Sequence, residues 1–223
     1  MIKVVFCLPG KTFSNYFMEA WSNLLSQCGN FNVEPVLRWA YTSNVYQVRN
    51  LCLMGRPELG KKQKVFQGQI KYDYIMWIDS DSVFAPNQFK SILGQMEKNK
   101  NLHILSGLYL KEGGKEYTTV LKWNSKFFEK HGRPKSLTPK DIVGKNGLIK
   151  VDYTGLGFML VRQGVFESLD YPWFQPMGLQ GDTGLVGFTG EDASFCIRAK
   201  EKGFDTYVDP KTIIGHEKSI ILK

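Results

Sequence analysis

The sequence lacks several features that define large protein classes. No apolar run approaches the roughly 20 residues that a membrane-spanning helix needs, and there is no internal repeat or low-complexity linker. The four cysteines, Cys7, Cys28, Cys52 and Cys196, match no zinc-binding spacing and are typical of reduced core residues in a cytoplasmic protein. The apolar run in MIKVVFCLPGK is too short for a signal peptide, so we interpret it as a first strand.

Positive charge is concentrated in one segment. The net charge is +8, and residues 111–150 hold ten Lys or Arg against four Asp or Glu, which is six of those eight charges. Such a segment is compatible with an anionic substrate, a membrane surface or simply a solvated surface. No nucleic-acid motif accompanies it, so we expect no nucleic-acid partner, whereas peripheral membrane contact stays open.

The first half of the chain alternates predicted strands and helices. Strand-like runs lie at 2–8, within 31–40, at 73–78 and at the start of LHILSGLYL, and helical patterns lie at 15–27, 44–54 and 86–99. This order favours an α/β fold with a mostly parallel central sheet flanked by helices. We expect a single domain over 1–223, in which 1–107 form the nucleotide-sugar-binding half and 108–223 form the acceptor and catalytic half, with a smaller acceptor-side subregion.

The second half has shorter predicted strands in YTTVLKW, LIKVDY, GLGFMLVR and DTYVD, and a helix in EDASFCIRAKEKG. We interpret residues 173–190 as a loop rich in glycine and aromatic residues. Trp173, Phe174 and Phe188, together with the lysine-rich segment, are expected to frame an acceptor, although simple packing explains these rings equally well.

Two aspartates follow the most apolar strand, in YIMWIDSDS. In open α/β sheets ligands bind at the carboxyl ends of parallel strands, and Asp79 and Asp81 lie at such an end. If the extended conformation continued, both would point the same way. Their repulsion and their hard oxygen donors suggest a divalent cation, although a turn explains Asp and Ser here as well.

Two later segments carry further candidates. His216, in IIGHEKS, would add a nitrogen ligand, which favours manganese over magnesium, and Lys218 could meet a phosphate. Asp192 begins a predicted helix and shares one helical face with Phe195 and Cys196, so it points toward the interior or a cleft. Alternatively, His216 is a core or capping histidine, and Asp192 caps the N-terminus of its helix.

The combination resembles the GT-A glycosyltransferases, which have a Rossmann-like sheet and use nucleotide sugars. The matching pieces are VVFCLPGK, QVRN, WIDSDSVF, GLGFMLV, GEDASFC and GHEKS, which together span nearly the whole chain. The compact length is similar to that of small viral and bacterial members, including a chlorella-virus glycosyltransferase domain. The resemblance implies a metal-dependent hexosyl transfer from a nucleotide sugar to a hydroxyl acceptor, with inversion.

The resemblance also implies residue roles. Asp192 would be the base and Glu191 would hydrogen-bond the acceptor or the donor sugar. Asp81 and His216 would bind Mn²⁺, or alternatively Mg²⁺, with Asp79 reaching the metal through water or contacting the ribose. The remaining implied donor-binding residues are Pro9, Gly10, Arg49, Asn50, Ser80, Gly155, Gly157 and Lys218.

UDP as the nucleotide follows from the resemblance alone. The resemblance to viral members extends the cytoplasmic location that the cysteines indicate to the host cytoplasm of a virus-encoded protein. Three alternatives stay open: a retaining transferase of the same fold, a nucleotidyltransferase and a non-catalytic carbohydrate- or polyanion-binding module. The nucleotidyltransferase is disfavoured because the loop LPGKTFSN after the first strand is neither glycine-rich nor strongly basic.

Overall fold

A seven-stranded sheet forms the centre of the computed structural model, which describes residues 1–181 and 184–218. In spatial order the strands are β2 (Val33–Ala40), β1 (Ile2–Pro9), β3 (Tyr74–Ile78), β9 (Phe158–Arg162), β5 (Ile104–Leu108), β12 (Thr206–Ile213) and β7 (Ile149–Val151). Only β9 and β7 run against the direction of the other five. The predicted α/β fold with a mostly parallel sheet is confirmed.

Helices and short strands complete the chain. The helices are α1 (Asn15–Gln27), α2 (Val45–Cys52), α3 (Pro86–Lys98), α4 (Ser125–His131), α5 (Pro139–Ile142) and α6 (Glu191–Glu201), with single 3-10 turns at Pro57–Leu59, Val65–Gly68 and Phe166–Ser168. Three two-stranded ribbons pair β4 (Ser82–Val83) with β13 (Gly215–His216), β6 (Thr119–Val120) with β8 (Tyr153–Thr154), and β10 (Gly178–Gly181) with β11 (Gly184–Phe188). No helix among residues 1–181 and 184–218 is both long enough and apolar enough to cross a membrane.

Both faces of the sheet are covered, because successive side chains of a strand point to opposite sides. On β1, Phe6 packs with the buried faces of α1 and α3, whereas its neighbour Cys7 packs on the other side with α2 and α6. The helical periodicity read from 15–27 and 86–99 reflects this burial. All four cysteines are free and buried, as predicted.

Strand β9 comes from the second half of the chain but lies at the centre of the sheet, between β3 and β5. The two halves therefore share one sheet. The sequence did not indicate this arrangement, because strand order depends on long-range pairing.

The region 173–190 is only partly the loop that we predicted. It contains the β10–β11 ribbon, whose glycines hide the alternation that marks a strand. Trp173 and Phe174 are 0% and 1% exposed in the core, so their expected acceptor role is wrong and the packing alternative holds. Phe188, in contrast, is exposed.

The carboxyl ends of β1 and β3 meet at one edge of the sheet, where β4 and β13 form their ribbon. In that ribbon Ser82 pairs with His216, and the Glu217 amide donates to the Asp81 carbonyl at 2.8 Å. The ribbon brings a late histidine next to an early aspartate.

Candidate active site

A cleft of about 430 Å³ lies at the carboxyl ends of the parallel strands, where α/β sheets bind ligands. Its walls include ten of the thirteen residues that the sequence predicted: Pro9, Gly10, Arg49, Asp79, Ser80, Asp81, Glu191, Asp192, His216 and Lys218. They come from the ends of β1 and β3, from α2, from the start of α6 and from the β13 ribbon. The fold therefore gathers segments that are distant in sequence into one concave site.

Arg49 holds two carboxylates of the cleft. Its Nη2 lies 2.8 Å from Asp79 Oδ1 and 3.3 Å from Glu191 Oε1, and its guanidinium lies 5.2 Å from the centre of the Trp77 ring. Burial would lower the pKa of Arg49, but the two carboxylates raise it, so the cation is firmly charged. Arg49 is 3% exposed, and its observed contacts position Asp79 and Glu191.

Asp81 faces a different set of partners. Its Oδ2 lies 3.1 Å from His216 Nε2 and accepts from Lys218 Nζ at 2.6 Å. Burial alone would raise the pKa of Asp81, but these hydrogen bonds lower it to about 2, and Asp81 in turn raises the pKa of His216. The chain turns after Ile78, with the Ser82 amide donating to the Asp79 carbonyl, so the two aspartates do not point the same way as expected.

Asp81 and His216 fit two ligands of one divalent ion. Two ligands at right angles, each about 2.1 Å from an Mg²⁺-sized ion, are about 3 Å apart, close to the 3.1 Å between Asp81 Oδ2 and His216 Nε2. His216 Nδ1 lies 2.6 Å from the Leu110 carbonyl, which favours a proton on Nδ1 and leaves Nε2 available as a ligand. Among the described residues no three His, Cys, Asp or Glu side chains converge on a metal position, because Asp79 turns to Arg49.

Asp192 lies at the first turn of α6, and its Oδ1 accepts from the Ala193 amide at 2.6 Å. Burial raises the pKa of Asp192 to about 7, and the neighbouring Glu191 charge acts in the same direction. A helix N-terminus would lower this pKa, yet here burial is the larger influence. The carboxylate is thus poised to accept a proton near neutral pH.

A second cavity, of about 620 Å³, adjoins the cleft. Asp192 and Thr118 line both spaces, so the Asp192 carboxylate lies at their junction. The walls of the second cavity come from β6, β8, the β10–β11 ribbon, α4 and α6. This geometry provides two compartments with one carboxylate between them.

Three predicted residues do not line the cleft. Asn50 is buried, and its amide bonds to the Tyr46 carbonyl and to both backbone groups of Phe174, which anchors the loop before β10. A Cβ on Gly155 or Gly157 would lie 2.0 or 2.8 Å from the Tyr109 side chain. These two glycines make room for Tyr109, which differs from the expected approach to a sugar.

Sequence reasoning missed Tyr109 and Thr118. The Tyr109 hydroxyl accepts from the Gly157 amide at 3.0 Å, and its ring lies edge-on to His216 with the centres 5.1 Å apart. The one sequence feature that could have pointed to Tyr109 as a site residue is its position just after the strand of LHILSGLYL. Thr118 had no signal, since it lies in a segment predicted only as a strand.

Comparisons with known proteins agree with this picture. Residues 67–156 match the sequence model of glycosyl transferase family 2, while curated proteins give no match. Among solved structures, A197 from STIV has a TM-score of 0.55 at 14% identity, covering 100% of this chain and 97% of that one. A mutant Drosophila β1,4-galactosyltransferase 7 in complex with manganese, UDP-Gal and xylobiose has a TM-score of 0.51 at 13% identity, covering 98% and 72%.

The matched stretch runs from before β3 to Leu156, and therefore contains Asp79 and Asp81. The fold likeness extends over the whole chain. The chain has the GT-A fold, and its residues 67–156 are similar to glycosyl transferase family 2.

Proposed function

We propose that the chain transfers a sugar from a nucleoside-diphosphate sugar, in particular a UDP-sugar, to a hydroxyl acceptor with inversion at the anomeric carbon. The observation that carries this proposal is the position of Asp192 between two cavities, with a pKa raised to about 7. An inverting transfer needs a base on the side of the sugar opposite the leaving group, and a carboxylate between donor and acceptor compartments meets that need.

The donor would occupy the smaller cleft. Pro9 and Gly10 would lie beside the base, Asp79 would contact the ribose, and Lys218 would contact a phosphate. The galactosyltransferase with a similar fold was crystallised with manganese and UDP-Gal, which supports a UDP-sugar and a divalent ion here. Ser80 shapes the same wall, because a Cβ on Gly10 would lie 2.5 Å from Ser80 Cβ.

Asp81 and His216 would hold the metal, Mn²⁺ by preference because a nitrogen donor accompanies the carboxylate. A bound divalent ion supplies charge stabilisation for the diphosphate leaving group. Two side chains would assist without binding the metal. Lys218, which is exposed and pairs with Asp81, would contact an incoming phosphate. Arg49 keeps Asp79 and Glu191 in fixed positions.

Asp192 would take the proton of the acceptor hydroxyl as that oxygen attacks the anomeric carbon. Its raised pKa makes it a better base than an exposed aspartate, whose pKa is about 3.9. Glu191 would accept a hydrogen bond from the acceptor or the donor sugar. Because Arg49 binds Glu191 Oε1, the other oxygen would be the one that accepts from the substrate.

A panel of nucleotide sugars, assayed for release of the nucleoside diphosphate with Mn²⁺, tests the proposal. We expect one UDP-sugar to be turned over and proton NMR to find the product with the anomeric configuration opposite to the donor. Retained configuration would replace inversion by the retaining reaction. Failure of every nucleotide sugar to bind or react would overturn the proposal.

A further inference from the structure

We infer that the second cavity selects a neutral acceptor with an aromatic or aliphatic body, such as an aryl or alkyl glycoside, and disfavours anionic acceptors. This inference rests on the proposed function, since it concerns the acceptor of the proposed transfer. It is carried by the apolar walls of the cavity, by the pairing of its charges and by its opening onto Asp192.

Apolar atoms make up most of the cavity wall, and half of the residues that line it are aromatic or aliphatic. Trp123 and Phe128 lie with ring centres 5.1 Å apart, and Phe188 and Leu179 come from the β10–β11 ribbon. Rings of this kind bind the apolar face of a sugar or an apolar substituent. With about 620 Å³ the cavity has the size of a site for a drug-sized molecule, so a free monosaccharide would leave part of its apolar wall uncovered.

The cations of the cavity already have partners. Lys200 Nζ lies 2.8 Å from Asp152 Oδ1. Lys111 Nζ donates to Ser136 Oγ at 2.6 Å, and Glu116 Oε2 lies 3.9 Å from it. An anionic acceptor would have to compete with these contacts.

Carboxylates that line the same cavity would also repel an anionic acceptor. Asp192 and Glu201 both line it, and an acceptor phosphate near them would meet like charge. Lys111 is the one basic residue of segment 111–150 that lines this cavity.

The remaining lysines and arginines of that segment therefore lie outside the wall of the proposed acceptor site.

The opening fixes which end of the acceptor reacts. Asp192 and Thr118 are the two residues shared with the donor cleft, so only a group at that end can reach the donor. A hydroxyl placed there would lie beside the proposed base while the apolar body stays among the aromatic rings. Selectivity and reactivity would thus depend on different parts of one cavity.

The test compares matched ligands for several hexoses: the free sugar, the p-nitrophenyl glycoside and the sugar 1-phosphate. Binding is measured by titration calorimetry in the presence of UDP and Mn²⁺, so that it does not depend on turnover. We expect at least one aryl glycoside to bind roughly 10- to 100-fold more tightly than its free sugar, as for burial of one aromatic ring. The sugar phosphate should bind no better than the free sugar.

Phe188→Ala is the main variant, because Phe188 is 68% exposed and its removal should not affect folding. It should remove most of the advantage of the aryl glycoside. Trp39→Ala is the matched control: Trp39 is 65% exposed on β2 and lines neither cavity, so all three ligands should bind as in the wild type.

Two failures can be distinguished. If UDP binds with Mn²⁺ but the aryl glycosides bind no better than free sugars, or the sugar phosphates bind best, the inference is wrong while the proposed function stands. If neither UDP nor any other nucleoside diphosphate binds, in the presence or the absence of Mn²⁺, the proposed function fails and the inference fails with it.

Discussion

At Asp192, the burial that favours the proposed chemistry also lowers the stability of the fold. Asp192 is half-buried with its carboxylate at the junction of two cavities, and burial raises the pKa of the carboxylate to about 7. A buried carboxylate costs folding free energy when it is ionised. The same burial makes it a stronger base, so the cost is consistent with a functional position.

Asp192→Asn should therefore lower the transfer rate by about 10²–10⁴-fold, the usual contribution of a positioned base. The loss should appear in kcat rather than in the donor KM, while the affinity for UDP with Mn²⁺ is kept. In the wild type, kcat should rise with pH through about 7, as Asp192 loses its proton. Steady-state kinetics from pH 5 to 9 measure both, and a variant with near-normal kcat would exclude Asp192 as the base.

The same variant should not destabilise the fold. Because the folded-state pKa of Asp192 is above its unfolded value of about 3.9, the folded state binds more protons between about pH 4 and 7, and stability falls as pH rises through that window. Asn avoids this cost and still accepts from the Ala193 amide. Thermal unfolding should give a Tm at or above wild type at pH 8, with the difference shrinking at pH 4. A lower Tm at pH 8 would contradict the folding cost assigned to the ionised carboxylate.

His216→Ala should weaken Mn²⁺ affinity by roughly 10- to 100-fold, a range typical of perturbed metal sites. The reason is the proposed ligation by Nε2, which the Leu110 carbonyl orients through Nδ1. His131→Ala is the matched control, since His131 is exposed at the end of α4 and away from the cleft. Equal Mn²⁺ affinity in both variants, measured by titration calorimetry with UDP, would make His216 a structural residue.

Among the elements, helix α2 links the two sides of the cleft. Arg49 pairs with Asp79 after β3 and with Glu191 at the start of α6. The Tyr46 hydroxyl donates to the Thr189 carbonyl, and Asn50 bonds to Phe174. One short helix thus contacts both the segment after β3 and the start of α6, which are the proposed nucleotide side and base side of the site.

Arg49→Gln should consequently lower the free energy of unfolding by about 3–5 kcal/mol, because it leaves two partly buried carboxylates without their cation. Lys62→Gln is the control: its partner Asp170 lies 2.8 Å away, but Lys62 is 87% exposed, so we expect a loss below about 1 kcal/mol. Urea unfolding measures the free energy of unfolding of the wild type and of both variants. Similar stabilities for the two variants would contradict the proposed positioning role.

Local patterns were sufficient to predict most elements. Residues 15–27 and 86–99 became α1 and α3 because their apolar positions repeat at helical spacing, and β1 and β3 are continuous apolar runs. The ribbon β10–β11 was missed because glycine provides no alternating pattern. The central position of β9 was missed because no local signal encodes strand order.

The sequence predicted which residues line the site better than it predicted their contacts. Asp79, Asp81, Asp192 and His216 do line one cleft, since motifs at strand and helix ends converge at the same edge of the sheet. The different partners of Asp79 and Asp81 depend on the turn after Ile78 and on Arg49, which spacing alone cannot specify. The second cavity depends on packing between α4, α6 and two ribbons, and had no sequence signature.

At the scale of the whole molecule, one continuous sheet takes strands from both halves of the chain. Strands β1 and β3 pair directly with each other, and β9, from the second half, pairs with β3. The cleft lies at the carboxyl ends of these parallel strands, whereas ribbons and helices outside the sheet form the walls of the second cavity. The two spaces meet at Asp192, which is the arrangement that the proposed donor site, base and acceptor site require.

The central claim is that the cleft binds a nucleoside diphosphate through a metal held by Asp81 and His216, with Asp192 reserved for chemistry. Titration calorimetry with UDP, with Mn²⁺ and after chelation, tests this most directly on the wild type, Asp81→Asn and Asp192→Asn. We predict Mn²⁺-dependent binding for the wild type and Asp192→Asn, loss of binding on chelation, and no Mn²⁺-dependent binding for Asp81→Asn. Equal UDP affinity with and without Mn²⁺ in the wild type, or unchanged affinity in Asp81→Asn, would contradict the account.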